Sequence, residues 1–411
     1  MALTLRGRQG REPVTIEIPD FCLLAVLGPT PAEGTAFVQR HFAADDPVTA
    51  GREGWHDEVA ERLAARKLTV VEAKAVLPHR PSELLGLAKH NHAQPAAILF
   101  VTDKSRSVRD IKRKLEMNGF RTVHLVRDRN EAELNITRTP LAVDRRTELG
   151  PFDIIGDVHG CADELELLLG KLGYGVRIEG SGEQRRAEVT APNGRRAIFV
   201  GDFVDRGPRS PDVMRIVMAM HAAGIGLSVP GNHDAKFLRW LQGRNVTLNH
   251  GLERTAEQFS SEGPQFRAAV SDFIAGLRSH MWLDEGRLVV AHAGIPEDMI
   301  GRETGAVREF CHYGDTDGAK DEAGLALRYL WAARYRGSVS DVYGHTPVLE
   351  ADWVNNTLCV DTGCCFGGAL TALRWPEREI VSVAAMQEYA RRGRPFGHPP
   401  SRPRESDAQA D

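Results

Sequence analysis

Ala197-Ile198-Phe199-Val200-Gly201-Asp202-Phe203-Val204-Asp205-Arg206-Gly207-Pro208 reads as a buried strand running into a turn that carries two carboxylates and a guanidinium. Four consecutive apolar residues bounded by glycine fit a strand covered on both faces, as in a sheet flanked by helices. Open α/β sheets bind ligands beyond the carboxyl ends of their strands, which is where Asp202, Asp205 and Arg206 fall. By itself the stretch fits equally a surface turn with an Asp-Arg pair, so the rest of the chain has to decide.

Four more runs have the same form. Phe152-Asp153-Ile154-Ile155 leads into Gly156-Asp157-Val158-His159-Gly160, and Leu227-Ser228-Val229 into Pro230-Gly231-Asn232-His233-Asp234. Leu288-Val289-Val290 precedes His292-Ala293-Gly294, and Val342-Tyr343 precedes Gly344-His345-Thr346-Pro347. Between them the spacing predicts helices over 162–172, with Leu165, Leu168, Leu169 and Leu172 on one face, over 211–223, and over 252–260 and 264–277. A polar hairpin is expected at 181–194, and closing strands at 357–360, 370–373 and 380–383. In such a strand-helix alternation Asp157, His159, Asp202, Asn232, His292 and His345 should converge on one sheet edge. A single histidine of this kind is usually a core or surface residue. Six oxygen and imidazole donors in like contexts point instead to Mn, Fe or Zn, with an Asp able to bridge two cations that activate water against a phosphoryl group.

Composition sets the outer bounds. The 411 residues suffice for two cores, and 42% hydrophobic, 26% charged and a net charge of -4 exclude wholesale disorder and a nucleic-acid-coating role. The polar, arginine-rich start (1–13) has no apolar targeting core, and the run 21–27 is too short to span a bilayer, so a soluble cytoplasmic protein is expected. Six cysteines without paired spacing read as buried free thiols. A domain boundary is expected near 141–151, giving domains 1–146 and 150–390, with a Pro/Arg/Ser-rich tail, 391–411, expected to be disordered.

The amino-terminal region alternates strands (14–18, 21–27, 68–71, 96–101) with helices (57–67, 107–119), which implies a parallel α/β domain. Gly28-Pro29-Thr30-Pro31-Ala32-Glu33-Gly34-Thr35 occupies the strand-loop-helix position of a phosphate-binding P-loop. Gly34 stands where that loop needs lysine, Glu33 adds negative charge and Pro31 lacks an amide donor, so a structural turn without nucleotide hydrolysis is expected. From Asp103 to Arg146 there are 12 Lys/Arg against 7 Asp/Glu, which reads as a solvated helix face and linker.

The motifs GDVHG, GDFVDRG, GNHD, HAG and GHTP resemble those of the calcineurin-like metallophosphoesterases, in the arrangement of their phosphoprotein-phosphatase branch. The resemblance implies a metallophosphoesterase α/β sandwich with two divalent ions, manganese first, with Fe, Ni or Zn as substitutes. Asp157, His159 and Asp202 would hold one ion, and Asp202, Asn232, His292 and His345 the other. Arg206 would clamp phosphate, and His233, oriented by Asp205, would protonate the leaving oxygen.

HGLERT (250–255), YGDTDG (313–318), WAARYRG (331–337) and DTGCCFGG (361–368) are similar to the phosphatase module of bacterial polynucleotide kinase-phosphatases, over about 139–390. This implies an RNA-end or nucleotide phosphate substrate, RNA-repair partner proteins, and Asp361 beside the phosphate, although a turn cap suits Asp361 equally. A protein serine/threonine phosphatase and a bis(5′-nucleosyl)-tetraphosphatase are the alternatives within the branch. The first 138 residues resemble that family's P-loop kinase module through 68–73 and 119–123. Lacking the lysine, and an arginine-rich lid between Val101 and the helix at 107, they imply a degenerate kinase-like domain without kinase activity, or an RNA- or nucleotide-binding scaffold.

Overall fold

Short all-apolar runs alternating with one-faced helices build both halves of the chain. The computed structural model describes residues 14–28, 30–72, 81–101, 108–127, 130–131, 134–320, 326–393, 396–397 and 399–402. The polar leader, the end of the tail (403–411) and residues 102–107, the place of an arginine-rich lid in the kinase module, lie outside the described residues. Two units result, 1–141 with 302–304, and 142–301 with 305–411.

The first unit runs β1 (Val14–Pro19), β2 (Leu23–Leu27), α1 (Pro31–Phe42), β3 (Val48–Thr49), α2 (Trp55–Ala64), β4 (Thr69–Glu72), α3 (Pro81–His90), β5 (Pro95–Val101), α4 (Val108–Asn118), β6 (Thr122–Arg127) and β7 (Leu134–Thr139). Five strands form an all-parallel sheet in the order β3-β4-β2-β5-β6, while β1 pairs in parallel with β7. Every residue of β2 is buried, and α1 lays Phe37, Val38 and Phe42 on it, with Phe37 stacked on Phe100 at 5.0 Å.

The Gly28 loop satisfies itself. Thr30 Oγ1 accepts the Glu33 amide at 3.3 Å and lies 2.6 Å from Glu33 Oε2, and the Gly34 amide donates to Thr30 O at 3.0 Å. The first turn of α1 therefore holds a carboxylate of its own where a bound phosphate would need amides.

The second unit runs β8 (Asp144–Arg145), β9 (Phe152–Ile155), α5 (Ala162–Leu172), β10 (Gly175–Glu179), β11 (Arg186–Thr190), β12 (Arg196–Phe199), α6 (Ser210–Ala222), β13 (Gly226–Ser228), α7 (Asn232–Leu241), α8 (Leu252–Ser260) and α9 (Pro264–Gly276). It continues β14 (His280–Leu283), β15 (Leu288–Ala291), α10 (Gly305–Tyr313), β16 (Ser340–Tyr343), β17 (Trp353–Val354), β18 (Thr357–Cys359), β19 (Asp361–Thr362), β20 (Ala369–Trp375) and β21 (Glu379–Ala384). One six-stranded sheet is ordered β13-β12-β9-β20-β19 with β21 beside β20, and a second is ordered β17-β18-β16-β15-β14-β8. Ile154, Ile198 and Val229 from the first interleave with Val290, Val342 and Leu358 from the second, so the sheets pack face to face. The outer face of the first sheet is covered by the leucines of α5 and the apolar side of α6.

Two expectations need correction. The polar hairpin pairs β10 with β11, so it starts at Gly175 rather than 181; Val176 and Ile178 alternate with Arg177 and Glu179, and that half-solvated pattern is weak in sequence. More consequentially, the six metal-type donors do not come from one sheet edge. Asp157, His159, Asp202 and Asn232 follow β9, β12 and β13 of the first sheet, whereas His292 and His345 follow β15 and β16 of the second.

Candidate metal centre

Tight turns aim these side chains inward. His159, Asp202, Asp205, Arg206 and His345 all have φ between 46° and 77°, the left-handed region that costs a non-glycine residue roughly 1–3 kcal/mol and persists only when surroundings enforce it. The enforcement is visible in Asp234, whose carboxylate accepts the amides of Asp202 (2.7 Å), Phe203 (2.9 Å) and Gly231 (2.8 Å). One buried side chain thus ties the turn after β12 to the start of α7. At Gly344 and Gly231 a Cβ would collide with Asp157 Oδ1 and Asp202 Oδ1 respectively, so glycine there lets the backbone lie against each carboxylate.

The donor set fits a cation. His159 Nδ1 donates to Val204 O at 2.8 Å and His292 Nδ1 to Val200 O at 3.0 Å, which leaves each Nε2 lone pair facing inward. Those nitrogens lie 3.4 and 3.5 Å from the same oxygen, Asp202 Oδ2, and His292 Nε2 is also 3.1 Å from Asn232 Oδ1. Asp202 and Asn232 thus turn acceptor oxygens toward imidazole lone pairs, one of which, on His159, is also reached by Arg206 Nη1. His345 contacts His292 Nε2 through Nδ1 at 3.0 Å, while its buried Nε2 has no hydrogen-bond partner among the described residues. Two donor triplets share Asp202: His159, Asp202 and His233, and Asp202, His292 and His345. The sequence reading placed Asp157 in the first set. Asp157 receives the His345 amide at 3.1 Å on Oδ2, and both nitrogens of His233, which stands beside His159 and Asp202, have hydrogen-bond partners.

Charge crowding agrees. Burial, then the neighbouring carboxylates Asp361 and Asp202, push Asp157 well above the usual carboxylate range. Burial likewise raises Asp202 and Asp361, and it lowers His292 to about 3. A divalent cation reverses the first tendency and reinforces the second, because it stabilises carboxylate and neutral imidazole together.

On the other side of His159 lies a guanidinium. Arg206 Nη1 touches His159 Nε2, Nη2 sits 2.8 Å from His233 Nε2, and Cζ stands 4.9 Å over the Phe366 ring. A guanidinium only donates, so His233 Nε2 is the acceptor and Nδ1 carries the proton, given to Asp205 Oδ2 at 2.6 Å. Asp205, pushed up to about 8 chiefly by burial, also takes the Thr255 hydroxyl on Oδ1 at 2.7 Å. Asp361 is buried and caps its own turn, accepting the Gly363 amide at 3.0 Å, and its charge is felt at Asp157. The turn-cap reading of Asp361 therefore has a hydrogen bond behind it.

Asp202, Arg206, Asn232, His233 and His345 line a cavity of about 980 Å³, with Lys236, Arg254 and Arg328 among its walls. Sequence reasoning missed Asp234, Thr255 and these three cations. Asp234 and Thr255 stand inside motifs already noticed, but the acceptor role of one and the support role of the other depend on contacts 31 and 50 residues away. All six cysteines are free and buried, as expected. Among the described residues no helix is long and apolar enough to cross a membrane.

The profile of the calcineurin-like phosphoesterases matches residues 150–374. The chain is 44% identical over 250 residues to the bis(5′-nucleosyl)-tetraphosphatase PrpE [asymmetrical] of Anoxybacillus flavithermus, covering 60% of this chain and 99% of that protein. To the Bacillus subtilis protein of the same name it is 43% identical over 242 residues, covering 58% and 96%. A protein serine/threonine phosphatase structure from Saccharomyces cerevisiae superimposes with a TM-score of 0.41 at 15% identity, over 63% of this chain and 87% of that one. The profile match falls on the unit that carries the donor triplets, and these relatives are covered almost whole: this chain belongs to the calcineurin-like phosphoesterases, and is an enzyme of the phosphatase type.

Proposed function

We propose that the enzyme hydrolyses a bis(5′-nucleosyl) tetraphosphate asymmetrically. The observation that carries this reading is the cavity: from Arg206 and His233 on its floor it opens to about 980 Å³ and brings Lys236, Arg254 and Arg328 to its walls. One terminal phosphate needs neither that room nor that charge. The names of the relatives in Anoxybacillus flavithermus and Bacillus subtilis support the same substrate class.

Asp157, His159 and Asp202 on one side, and Asp202, Asn232, His292 and His345 on the other, would hold two divalent ions, manganese in this reading, which supply charge neutralisation and acidify water. The chain's own residues do the rest. The Arg206 fork binds two phosphoryl oxygens, for which a planar guanidinium is better shaped than an ammonium. His233, held through Nδ1 by Asp205, presents an unprotonated Nε2 toward the same place; that atom takes up the proton given off by the attacking water and passes it to the departing phosphate oxygen. One water adds across one anhydride: its oxygen joins phosphorus, the P–O bond to the leaving group breaks, and a proton goes to the oxygen released. Asymmetric splitting of four phosphates yields a nucleoside triphosphate and a nucleoside monophosphate.

A second reading, removal of 2′- or 3′-phosphate from RNA ends, is favoured by one observation. The described residues between 14 and 139 form a parallel α/β unit outside the 150–374 match, which this reading takes as a degenerate kinase-like domain that binds nucleic acid. RNA-repair partners and a cytoplasmic setting belong to that reading. A panel of diadenosine tetraphosphate, 3′-phosphorylated and 2′,3′-cyclic RNA ends and a phosphopeptide, with manganese-loaded protein, separates the two. Chromatographic appearance of ATP and AMP in equal amounts is expected. Faster turnover of RNA ends overturns the tetraphosphate reading.

A further inference from the structure

Beyond the strand β21 the described residues stay on the phosphoesterase unit. Glu164 on α5 accepts both the Met386 amide and the Tyr389 hydroxyl on Oε1 at 2.8 Å, and the amides of Tyr389 and Ala390 donate to Cys365 O at 3.0 Å. Cys365 and Phe366 are the residues that lie against Arg206. Further on, Arg392 donates to Pro347 O at 3.3 Å, Pro400 O accepts the Leu330 amide at 2.9 Å, and Arg402 pairs with Asp315 while lying 4.8 Å over Tyr329. The segment is therefore fastened near the phosphate side at one end and beside Asp315 at the other.

Between these anchors it forms a wall of the cavity, through Tyr389, Arg391, Arg392, Pro399 and Pro400. The cations of the other walls are partly committed: Arg254 donates to Arg206 O at 2.7 Å, and Arg328 donates to His345 O and Thr346 Oγ1 at 3.2 Å. Arg391, exposed on the cavity, has no hydrogen bond or ion pair among the described residues.

We infer that this carboxyl-terminal strap is a specificity element, in which Arg391 with Arg392 receives the phosphates lying beyond the one held at Arg206. The inference rests on the reading of the cavity as a polyphosphate site. It requires a ligand longer than one phosphate and adds nothing to binding of orthophosphate. Arg402 is a positioning residue here, acting only by holding the far end of the strap against Asp315.

Calorimetric titration of the full-length, manganese-loaded protein, with manganese in excess of ligand, tests this using inorganic tripolyphosphate and orthophosphate as probes. Replacing Arg391→Ser together with Arg392→Ser should weaken tripolyphosphate binding at least about tenfold, the loss of one to two charge-assisted contacts, and shift orthophosphate less than about twofold. Arg402→Ser, which leaves the cavity charge unaltered, should weaken tripolyphosphate in the same direction. Equal losses for both ligands, or no loss for either, overturn the inference. Failure of the wild type to cleave diadenosine tetraphosphate would instead remove the substrate reading, while the tripolyphosphate comparison would still decide the strap.

Discussion

Asp202 Oδ2 lies between the Nε2 atoms of His159 and His292, and its Oδ1 accepts the His233 amide at 3.0 Å. No other side chain serves both donor triplets. Asp202→Ala should lower kcat by at least about a thousandfold, several kcal/mol of lost charge stabilisation, and metal content read by atomic absorption should fall below two ions per chain. Arg206→Ala should act differently, raising KM for phosphate-bearing substrates more than it lowers metal content, because Arg206 donates to imidazoles and offers no ligand atom. Thr255 tests the support of the proton-transfer pair. Thr255→Val leaves Asp205 Oδ1 buried without its donor, so a loss of about 1–3 kcal/mol in urea denaturation is expected, with a lower kcat.

Helix α6 carries a residue that reports on packing rather than chemistry. His221 Nε2 meets Ser228 Oγ at 2.9 Å, its ring stands edge-on to Phe273, and burial, with Arg145 adding to it, lowers its pKa to about 4. The folded form resists protonation, so its contribution to stability is complete above the unfolded value near 6.5 and is lost as pH falls toward 4. By pH 5 this one group should cost about 2 kcal/mol of stability, measurable as a drop in the urea midpoint that His221→Gln reduces. Elements of this kind were legible in sequence where the apolar face was clean: α5 has the bounds expected from its leucines, and α8 those expected from its spacing. Legibility failed where contacts are non-local. The Pro/Arg-rich chain after Ala390 has the composition of a disordered tail, yet its described residues are held by Leu330, Pro347 and Asp315, distant in sequence and invisible to local pattern. Likewise each metal-type donor could be found from its glycine-bounded turn, but not which of two sheets would carry it.

For the molecule as a whole, chelation should lower the melting temperature of the phosphoesterase unit and added manganese should restore it, since an ion bound only by the folded state stabilises by mass action. Differential scanning calorimetry with and without chelator checks this; an unchanged transition would count against the shared-Asp202 centre. The placement of donors on two sheets also has a temporal meaning. The Asp157 carboxylate meets the amide of His345 across 188 residues, and the turns after β12 and β15 join only when the sandwich has shut. The full centre therefore cannot assemble before both sheets are present: during synthesis no nascent chain that stops short of His345 holds the full donor set, and in refolding the recovery of turnover should lag the recovery of helical signal, because closing such long loops is the slow step of reaching a non-local topology.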